Sequence, residues 1–331
     1  MPPVDQITFT AIGQVAVTQA GPPGGPGEGQ VLLAASHVGI CGSDLAVLDG
    51  HHPWTRPPVV TGHEVTGLVE ATGPGVRGLA VGDRVVLNPL RGCGACPRCR
   101  QGAVNQCESG AVRGYRLPGA AVTRLLVDAA ELLPVPPAVP GEQACLAEPL
   151  AAAWHAATRT GDLADVAVIG AGSIGQLVLS SLRHRGAGRI TVIEPEPGKR
   201  ELALDRGADE AASPGGPPGP PRFTAVFDCV SRPATLDWAV QATLAGGAVV
   251  TVGVPAGPVT LPLPRTQRFE IALLGSGLYT PAELATAIDL IATGTVQAGP
   301  LISGVFPLAQ VAQAYALAQD PRSVKVIVAM A

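Results

Sequence analysis

The chain has 331 residues, 47% of them hydrophobic, and is therefore long and apolar enough to bury a sizeable core in one or two domains. Its 22 Lys and Arg against 26 Asp and Glu leave a formal net charge of −4, which excludes a general attraction to nucleic acid or to an anionic membrane. We therefore expect a small molecule as the partner, with no nucleic acid and no membrane.

The first half of the chain, up to about residue 148, is predicted to be mainly β. Its start lacks the basic residues and the unbroken apolar run of a secretory signal, so a cytoplasmic protein is expected. Short runs of β-branched and apolar residues between Gly and Pro predict strands at 30–35, 64–70, 83–87 and 122–127.

The second half alternates strand and helix from Asp165 onwards. A strand at 166–170, an amphipathic run to Arg185 and a strand at 189–194 predict one βαβ unit. Further apolar runs predict a continued parallel sheet, with strands at 224–230, 248–253 and 271–275.

Two unusual segments of the second half are predicted to be neither core nor membrane. Ser213–Pro221 contains too much Pro and Gly for a helix or strand, so it is predicted to be a surface loop. Residues 290–319 carry no charge and are long enough to cross a bilayer, but Pro300, Pro307 and several Gly and Gln interrupt them. No membrane span is expected.

Four of the seven cysteines are close together in sequence. Cys93-Gly-Ala-Cys96-Pro-Arg-Cys99, followed by Cys107, provides four thiolates with Gly and Pro tightening the turns between them. In a reducing compartment this spacing favours one tetrahedral Zn²⁺ without an open position, which is a structural site. Reduced cysteines that cluster by chance are the weaker alternative.

A glycine motif follows the first strand of the second half. Gly170-Ala-Gly172-Ser173-Ile174-Gly175 lies between a predicted strand and a predicted helix, as in dinucleotide-binding turns. Gly170 allows the tight turn, Gly172 lets the backbone approach a pyrophosphate, and Gly175 lets the helix pack closely on the strand.

The end of the next strand indicates which dinucleotide binds. Glu194 can accept hydrogen bonds from the adenosine ribose hydroxyls and would repel a 2′-phosphate, so NAD is expected and NADP is less favoured. Lys199 and Arg200 temper this preference, although both also fit a solvated helix face or a stack on the adenine. Arg200 is therefore a further candidate for cofactor binding.

Three separate positions could form a second metal site: Cys41, His63 with Glu64, and Glu148 before Pro149. Taken singly, each also fits a structural role as a core thiol, a hydrogen-bonded imidazole or a helix start. Together, a thiolate, an imidazole and a carboxylate would provide three protein ligands to zinc and leave one position for a substrate.

The chain resembles the zinc-dependent medium-chain alcohol dehydrogenase family over nearly its whole length. The matching motifs occur in the family's order: Gly39–Asp44, Gly62–Glu64, Val81–Val85, the four cysteines, Glu148-Pro149 and Gly170–Gly175. The resemblance implies an α/β protein with three parts. Residues 1–148 would form a GroES-like, mainly β catalytic domain with a structural-zinc lobe at 91–109. Residues 149–278 would form a Rossmann NAD-binding domain with a doubly wound parallel sheet, and residues 279–331 would return to the catalytic domain.

The same resemblance assigns Cys41, His63 and Glu148 to a catalytic zinc, with Glu64 as an alternating or outer carboxylate, so two zinc ions per chain are expected. Glu as the third ligand is similar to the sorbitol and threonine dehydrogenase branch. The implied reaction moves a hydride between NAD and the secondary alcohol of a polyol, sugar, cyclitol or hydroxy-amino acid, giving a ketone. The family also implies a homodimer or homotetramer.

One position departs from the family pattern. Ser43 matches the hydroxyl that contacts the substrate oxygen and starts the proton relay, but Ala46 stands where many members carry His. Water, a cofactor ribose hydroxyl, His51 or His52 would have to replace that His, although the His pair also fits an exposed turn. Cys145 and Cys229 match no ligand position and are predicted to be buried.

Two other functions are compatible with the sequence. One is a reductase whose zinc site has drifted and which acts on an activated double bond or imine in a biosynthetic pathway. The other is a non-enzymatic, NAD-sensing regulatory protein, against which the negative net charge and the intact ligand set both count.

Overall fold

The computed structural model describes residues 2–255 and 257–330. The chain divides into two compact units, Met1–Glu148 with Thr280–Ala331, and Pro149–Tyr279. The first unit is therefore discontinuous in sequence, because the C-terminal segment returns to it.

The N-terminal part of the first unit consists of short strands and short helices. Its strands are β1 (Val4–Ala11), β2 (Gln14–Ala20), β3 (Gln30–Ile40), β4 (Val59–Val60), β5 (Glu64–Thr72), β6 (Arg84–Leu87), β7 (Leu90–Arg91), β8 (Ala111–Val112), β9 (Arg124–Asp128) and β10 (Leu132–Pro134). Its helices are α1 (Gly42–Leu48), α2 (Pro97–Arg100) and α3 (Gly141–Ala144), and α4 (Ala147–Ala157) begins at its end.

The second unit is the strand–helix alternation that the sequence predicts. Its strands are β11 (Asp165–Ile169), β12 (Arg189–Ile193), β13 (Glu210–Ala212), β14 (Phe223–Asp228), β15 (Thr243–Thr251) and β16 (Ala272–Gly275). Its helices are α5 (Ser173–His184), α6 (Pro197–Asp205), α7 (Pro233–Ala242) and α8 (Leu263–Arg268). Over the described residues the strands form a parallel sheet in the order β13-β12-β11-β14-β15-β16.

Burial explains why this sheet reads as continuous apolar runs. Val166, Val168 and Val226 are fully buried, as expected for parallel strands that are covered on both faces. The predicted loop Ser213–Pro221 lies between β13 and β14 without helix or strand. Cys229 is only partly buried, contrary to the sequence prediction, because it follows β14 where the chain leaves the sheet, whereas Cys145 is fully buried.

The C-terminal segment completes the first unit with α9 (Pro281–Ala292), β17 (Ile302–Pro307), α10 (Val311–Gln319) and β18 (Lys325–Ala329). The long uncharged segment is thus divided among several short elements. Among the described residues, none of the helices is long and apolar enough to cross a membrane.

The register of the main sheet of the first unit brings three distant segments together. The strand order is β10-β6-β5-β3-β18-β17, and β9 also pairs with β3. Gly39 lies opposite Glu64 across β3 and β5, while Val326 lies opposite Ile40 across β18 and β3. The residues just after β3, at the start of β5 and at the start of β18 are therefore neighbours.

The predicted strands of the first half are present with shifted ends, and α1 is among the elements that were not predicted. α1 begins directly after Cys41, and the Asp44 carboxylate accepts a hydrogen bond from the Cys41 backbone N–H at 3.0 Å. This pairing satisfies a backbone donor at the helix start. It also fixes the position of Cys41 at the end of the buried strand β3.

Candidate metal centre and nucleotide site

Cys41, His63 and Glu64 form a compact cluster in the first unit. Each offers one ligand atom, and these atoms lie within 4.8 Å of one another. His63 is 5% exposed and Glu64 is fully buried, while Cys41 is half-buried. A thiolate, an imidazole and a carboxylate that converge in this way fit a Zn²⁺ ion.

Asp44 holds Cys41 in place and lies beside His63. Its Oδ1 accepts a hydrogen bond from Thr61 Oγ1 at 2.7 Å and lies 3.6 Å from His63 Nδ1, and its Oδ2 binds the Cys41 backbone. Burial lowers the pKa of His63, but Asp44, Cys41 and Glu148 outweigh burial and raise that pKa well above its usual value. The cluster is thus a strongly electronegative pocket that favours a cation.

Glu64 also forms a buried ion pair with Lys325, a residue that the sequence analysis did not single out. Lys325 Nζ donates to Glu64 Oε1 and Oε2, both at 2.7 Å, and to the Ile40 carbonyl at 3.0 Å. Lys325 is 2% exposed, and a Cβ at Gly39 would stand 2.0 Å from Glu64 Oε2. Burial lowers the pKa of Lys325, but the Glu64 charge and its neighbours outweigh it, so the pKa is raised and the ammonium stays charged.

Glu148 is the remaining carboxylate that the sequence proposes for this centre. It lies in the first turn of α4, is 6% exposed, and its charge contributes to the raised pKa values of His63 and Tyr115. These effects place a second buried negative charge near the cluster.

Ser43 lies beside the cluster and contacts a tyrosine that the sequence analysis missed. Ser43 Oγ donates to Cys41 Sγ at 3.0 Å and shares a 2.5 Å hydrogen bond with the Tyr115 hydroxyl. The Tyr115 hydroxyl also lies 3.3 Å from His63 Nδ1. Burial raises the pKa of Tyr115 well above its usual value, so its hydroxyl is neutral at physiological pH.

The two histidines proposed as relay residues lie in different environments. His52 is 5% exposed, and its ring stacks on Tyr115 with centroids 4.7 Å apart and planes within 6°. His51, in contrast, is exposed. His52 therefore belongs to the wall of the site, whereas His51 faces solvent.

The four clustered cysteines also converge. One sulfur from each of Cys93, Cys96, Cys99 and Cys107 lies within 4.8 Å of the others, compatible with the sulfur spacing of about 3.8 Å that a tetrahedral Zn–S bond of about 2.3 Å requires. Backbone N–H groups donate to these sulfurs, for example Cys96 N to Cys93 Sγ at 3.3 Å. Donation from Ala95 and Cys96 lowers the pKa of Cys93 to about 6. Desolvation, in contrast, raises the pKa of Cys99 to about 11, so it is the N–H groups directed at the sulfurs that would stabilise thiolates around a structural zinc.

The glycine turn between β11 and α5 has the shape of a phosphate cradle. Gly170 has a φ of +86°, and a Cβ at Gly175 would stand 1.8 Å from the Gly170 carbonyl. A Cβ at Gly172 would meet no described atom within 4 Å, and the buried Ser173 Oγ has no hydrogen-bond partner among the described residues. An open backbone and an unsatisfied hydroxyl at a helix N-terminus fit a pyrophosphate, and half-buried Ile174 lies in the same turn.

Glu194 and Arg200 lie next to this cradle. Glu194 is 5% exposed, and its carboxylate accepts hydrogen bonds from the Ala171 N–H at 2.6 Å and from the Glu196 N–H at 2.9 Å. Arg200 Nη1 donates to the carbonyls of Glu194 and Pro195, at 2.8 and 2.6 Å. The carboxylate is thus fixed beside the turn, and the guanidinium is engaged by the backbone.

Comparison with known proteins agrees with this geometry. Residues 27–137 match the model of the alcohol dehydrogenase GroES-like domain, and residues 173–293 match that of zinc-binding dehydrogenases. The 2-dehydro-3-deoxy-L-galactonate 5-dehydrogenase of Pseudoalteromonas atlantica is 33% identical over 92% of both chains.

Solved structures show the same fold. A zinc-binding dehydrogenase of Sinorhizobium meliloti bound to NADP superposes with a TM-score of 0.91, at 29% identity over 99% of this chain and 100% of that one. The rspB alcohol dehydrogenase of Escherichia coli, complexed with NADH, also has a TM-score of 0.91, at 26% identity over 99% of this chain and 100% of that one.

The chain belongs to the zinc-dependent medium-chain alcohol dehydrogenase family. Its relatives also include the sorbitol dehydrogenase of Arabidopsis thaliana, at 29% identity over 87% of this chain and 84% of the relative, and the L-threonine 3-dehydrogenase of Pyrococcus horikoshii, at 30% identity over 84% of each. The predicted family and the predicted combination of a GroES-like domain with a Rossmann-like parallel sheet are confirmed. The protein is an NAD(P)-dependent zinc dehydrogenase acting on CH–OH groups, with a structural four-cysteine site and a catalytic Cys/His/Glu site.

The closed cysteine cluster generates a prediction about stability. We expect Cys96→Ser to lower the midpoint of thermal unfolding by about 5–10 °C, because a structural zinc contributes directly to folding and about 1 kcal/mol corresponds to about 2–4 °C in a domain of this size. Differential scanning calorimetry with and without a strong chelator measures the effect. Cys229→Ser, outside both clusters, is the control, and an unchanged midpoint after chelation would contradict a structural zinc.

The buried ion pair generates a second prediction. We expect Lys325→Met to lower the free energy of unfolding by about 3–5 kcal/mol, because it leaves the Glu64 carboxylate buried without a counter-charge. The double variant Lys325→Met with Glu64→Gln should recover part of the loss. Urea unfolding followed by circular dichroism measures both variants, and equal stability of the single variant and the unmodified protein would show that the pair is not maintained in solution.

Proposed function

We propose that this protein oxidises a secondary alcohol of a polyhydroxylated substrate, such as a polyol, sugar or sugar acid, to a ketone with NAD as hydride acceptor. The observation that carries the proposal is the convergence of Cys41, His63 and Glu64 beside the Ser43 hydroxyl, with the Glu148 charge also acting on His63. The relative from Pseudoalteromonas atlantica supports the sugar-acid class, because its name describes a 5-dehydrogenase of a deoxy sugar acid.

We assign Cys41, His63 and Glu148 as the resting ligands of the catalytic zinc, and Glu64 as the alternating carboxylate. Both Glu64 oxygens are bound by Lys325, which neutralises this carboxylate and favours Glu148 as the third ligand. Zinc held by these residues would supply a Lewis acid that lowers the pKa of a substrate alcohol. The four-cysteine cluster would hold the second zinc ion of each chain.

Ser43 is the proposed first proton acceptor for the substrate hydroxyl. Its hydroxyl hydrogen is directed to Cys41 Sγ and its oxygen contacts Tyr115, so an oxygen lone pair can face a substrate. Ala46 provides no relay group, and His52 stacks on Tyr115 rather than hydrogen-bonding to Ser43. On accepting the substrate proton, Ser43 would release its own hydrogen, which turns from Cys41 Sγ to water or to a ribose hydroxyl of the cofactor in this proposal.

The proposed cofactor preference is NAD over NADP, and Glu194 is the supporting residue. Its buried carboxylate is fastened to the glycine turn by the Ala171 N–H, where a 2′-phosphate would meet a fixed negative charge. Arg200 donates to backbone carbonyls, which reduces its capacity to bind a phosphate. Gly170, Gly172, Ser173, Ile174 and Gly175 would hold the pyrophosphate.

The experiment that tests the proposed function is a screen for NADH production across sugar acids, polyols, cyclitols, amino alcohols and simple secondary alcohols. We expect activity on a polyhydroxylated substrate, and Cys41→Ser should lower kcat/KM at least about a hundredfold because a zinc ligand is lost. Cys229→Ser, the same substitution at a thiol outside both clusters, is the matched control. A Cys41→Ser variant with the full rate would remove the zinc centre from the mechanism.

Cofactor choice is tested by Glu194→Ala. We expect kcat/KM with NAD to fall about tenfold, because hydrogen bonds worth about 1 kcal/mol or more are lost, and the NAD-to-NADP ratio to fall as well. Steady-state kinetics with both cofactors measure the change. Glu201→Ala, an exposed acidic residue of α6, should leave both constants unchanged. An unmodified enzyme that uses NADP as well as NAD would contradict the assignment.

A further inference from the structure

Tyr115 occupies a position that the family resemblance did not assign. Its hydroxyl lies between two residues of the proposed catalytic centre, 2.5 Å from Ser43 Oγ and 3.3 Å from His63 Nδ1. Ser43 Oγ in turn lies 3.0 Å from Cys41 Sγ. Two hydroxyl groups therefore connect one proposed zinc ligand, His63, with another, Cys41.

The available hydrogens determine the direction of this chain of hydrogen bonds. A thiolate that binds zinc has no hydrogen, so Ser43 must be the donor to Cys41. Because a serine hydroxyl has only one hydrogen, Tyr115 must be the donor to Ser43. Tyr115 then has no further hydrogen to give, and His63 Nδ1 must carry the hydrogen of the last contact.

From this assignment of hydrogens we propose that Tyr115 is a positioning residue of the catalytic centre. It fixes the His63 tautomer in which Nε2 faces the metal, and it orients the Ser43 hydroxyl so that its oxygen can accept a hydrogen bond from the substrate. The inference rests on the proposed zinc-dependent function. It requires no change in the charge of Tyr115, since only the orientation of a neutral hydroxyl is involved.

The surroundings hold the Tyr115 hydroxyl where this role requires it. Its ring stacks in parallel on His52, with 4.7 Å between centroids. The Tyr115 N–H donates to the Val112 carbonyl at 3.2 Å, and Gly114 before it adopts a φ of +84°. Arg113 anchors the same segment through a 2.7 Å contact with Glu131. The hydroxyl is thus presented by a fixed turn rather than by a free side chain.

Asp44 is the competing acceptor for the His63 hydrogen, and its geometry is poorer. The separation of Asp44 Oδ1 and His63 Nδ1 is 3.6 Å, which is beyond a hydrogen bond, and Asp44 already accepts from Thr61 and from the Cys41 backbone. Partners of the second imidazole nitrogen orient a metal-bound histidine and raise its affinity for the metal. Removal of the Tyr115 hydroxyl should therefore lower the affinity of the catalytic centre for zinc.

The test compares Tyr115→Phe with the unmodified protein in zinc affinity, which does not depend on turnover. Tyr115→Phe keeps the ring that stacks on His52 and removes only the hydroxyl. Zinc content per chain is measured over a series of chelator concentrations. Cys41→Ser lacks a ligand of the catalytic centre, so its zinc content gives the amount held by the cysteine cluster alone. We expect zinc binding at the catalytic centre to weaken about 10–100-fold in Tyr115→Phe, while the midpoint of release from the cysteine cluster stays unchanged.

A second measurement determines the tautomer of His63 directly. In the zinc-loaded, ¹⁵N-labelled protein, we expect an Nδ1-bound proton on His63 that is protected from exchange, and faster exchange of that proton in Tyr115→Phe. Thr8→Val is the control, because it also removes a partly buried, hydrogen-bonded hydroxyl of the first unit, one that pairs with Thr18 in the sheet of β1, β2 and β4. It should leave the zinc affinity and the His63 signal unchanged.

The outcomes separate this inference from the proposed function. Unchanged zinc affinity and unchanged proton exchange in Tyr115→Phe would overturn the positioning role while leaving a zinc-dependent dehydrogenase intact. An equal loss in Thr8→Val would also overturn it, because the effect would then be one of general stability. An unmodified protein that binds zinc only in the cysteine cluster would instead refute the proposed function.

Discussion

A buried ion pair between Lys325 and Glu64 is the interaction on which the catalytic centre depends most directly. Both side chains are almost completely shielded from water, and the three ammonium hydrogens find three acceptors. Pairs of this kind are costly to desolvate and contribute little net stability, but an unpaired partner is strongly destabilising. The pair therefore acts mainly as a requirement for correct assembly, since the carboxylate beside the metal ligands is tolerated only when β18 is in place.

The same constraint explains the arrangement of the polar groups around the centre. Several negative or potentially negative groups lie close together, among them Cys41, Asp44 and Glu64, and each has a hydrogen-bond or ion-pair partner. Buried polar groups are stable only when they are satisfied. A cation bound between these groups would reduce their mutual repulsion further, so the fold and the proposed zinc site favour each other.

Much of the architecture and part of the site could be predicted from sequence because they depend on local patterns. The glycine turn after β11, the four cysteines and the apolar runs of the parallel sheet are each encoded within a few consecutive residues. Lys325 was missed because it meets Glu64 across 261 positions of sequence. Its sequence signal is a single charge at the start of an apolar strand, Lys325-Val-Ile-Val, which marks a residue but not its partner.

The contacts of Tyr115 and Gly39 were hidden for the same reason. Tyr115 lies in a Gly-rich turn with little periodicity, and it reaches Ser43 across 72 positions. Gly39 reads as part of a family motif, but its steric role appears only when the Glu64 carboxylate is placed opposite it. The helix α1 was missed because its 7 residues are too few to show a helical repeat of apolar side chains.

The position of β18 inside the sheet has a consequence for biosynthesis. This strand lies between β3 and β17, yet it is made only after the whole of Pro149–Tyr279 has been synthesised. During translation the last part of β3, residues 37–40, lacks its partner strand and Glu64 has no ammonium beside it, while the nucleotide-binding unit can already fold on its own contacts. Emergence of β18 from the ribosome is thus the event that completes this sheet, and a metal ion that arrives earlier would meet an incomplete set of neighbours.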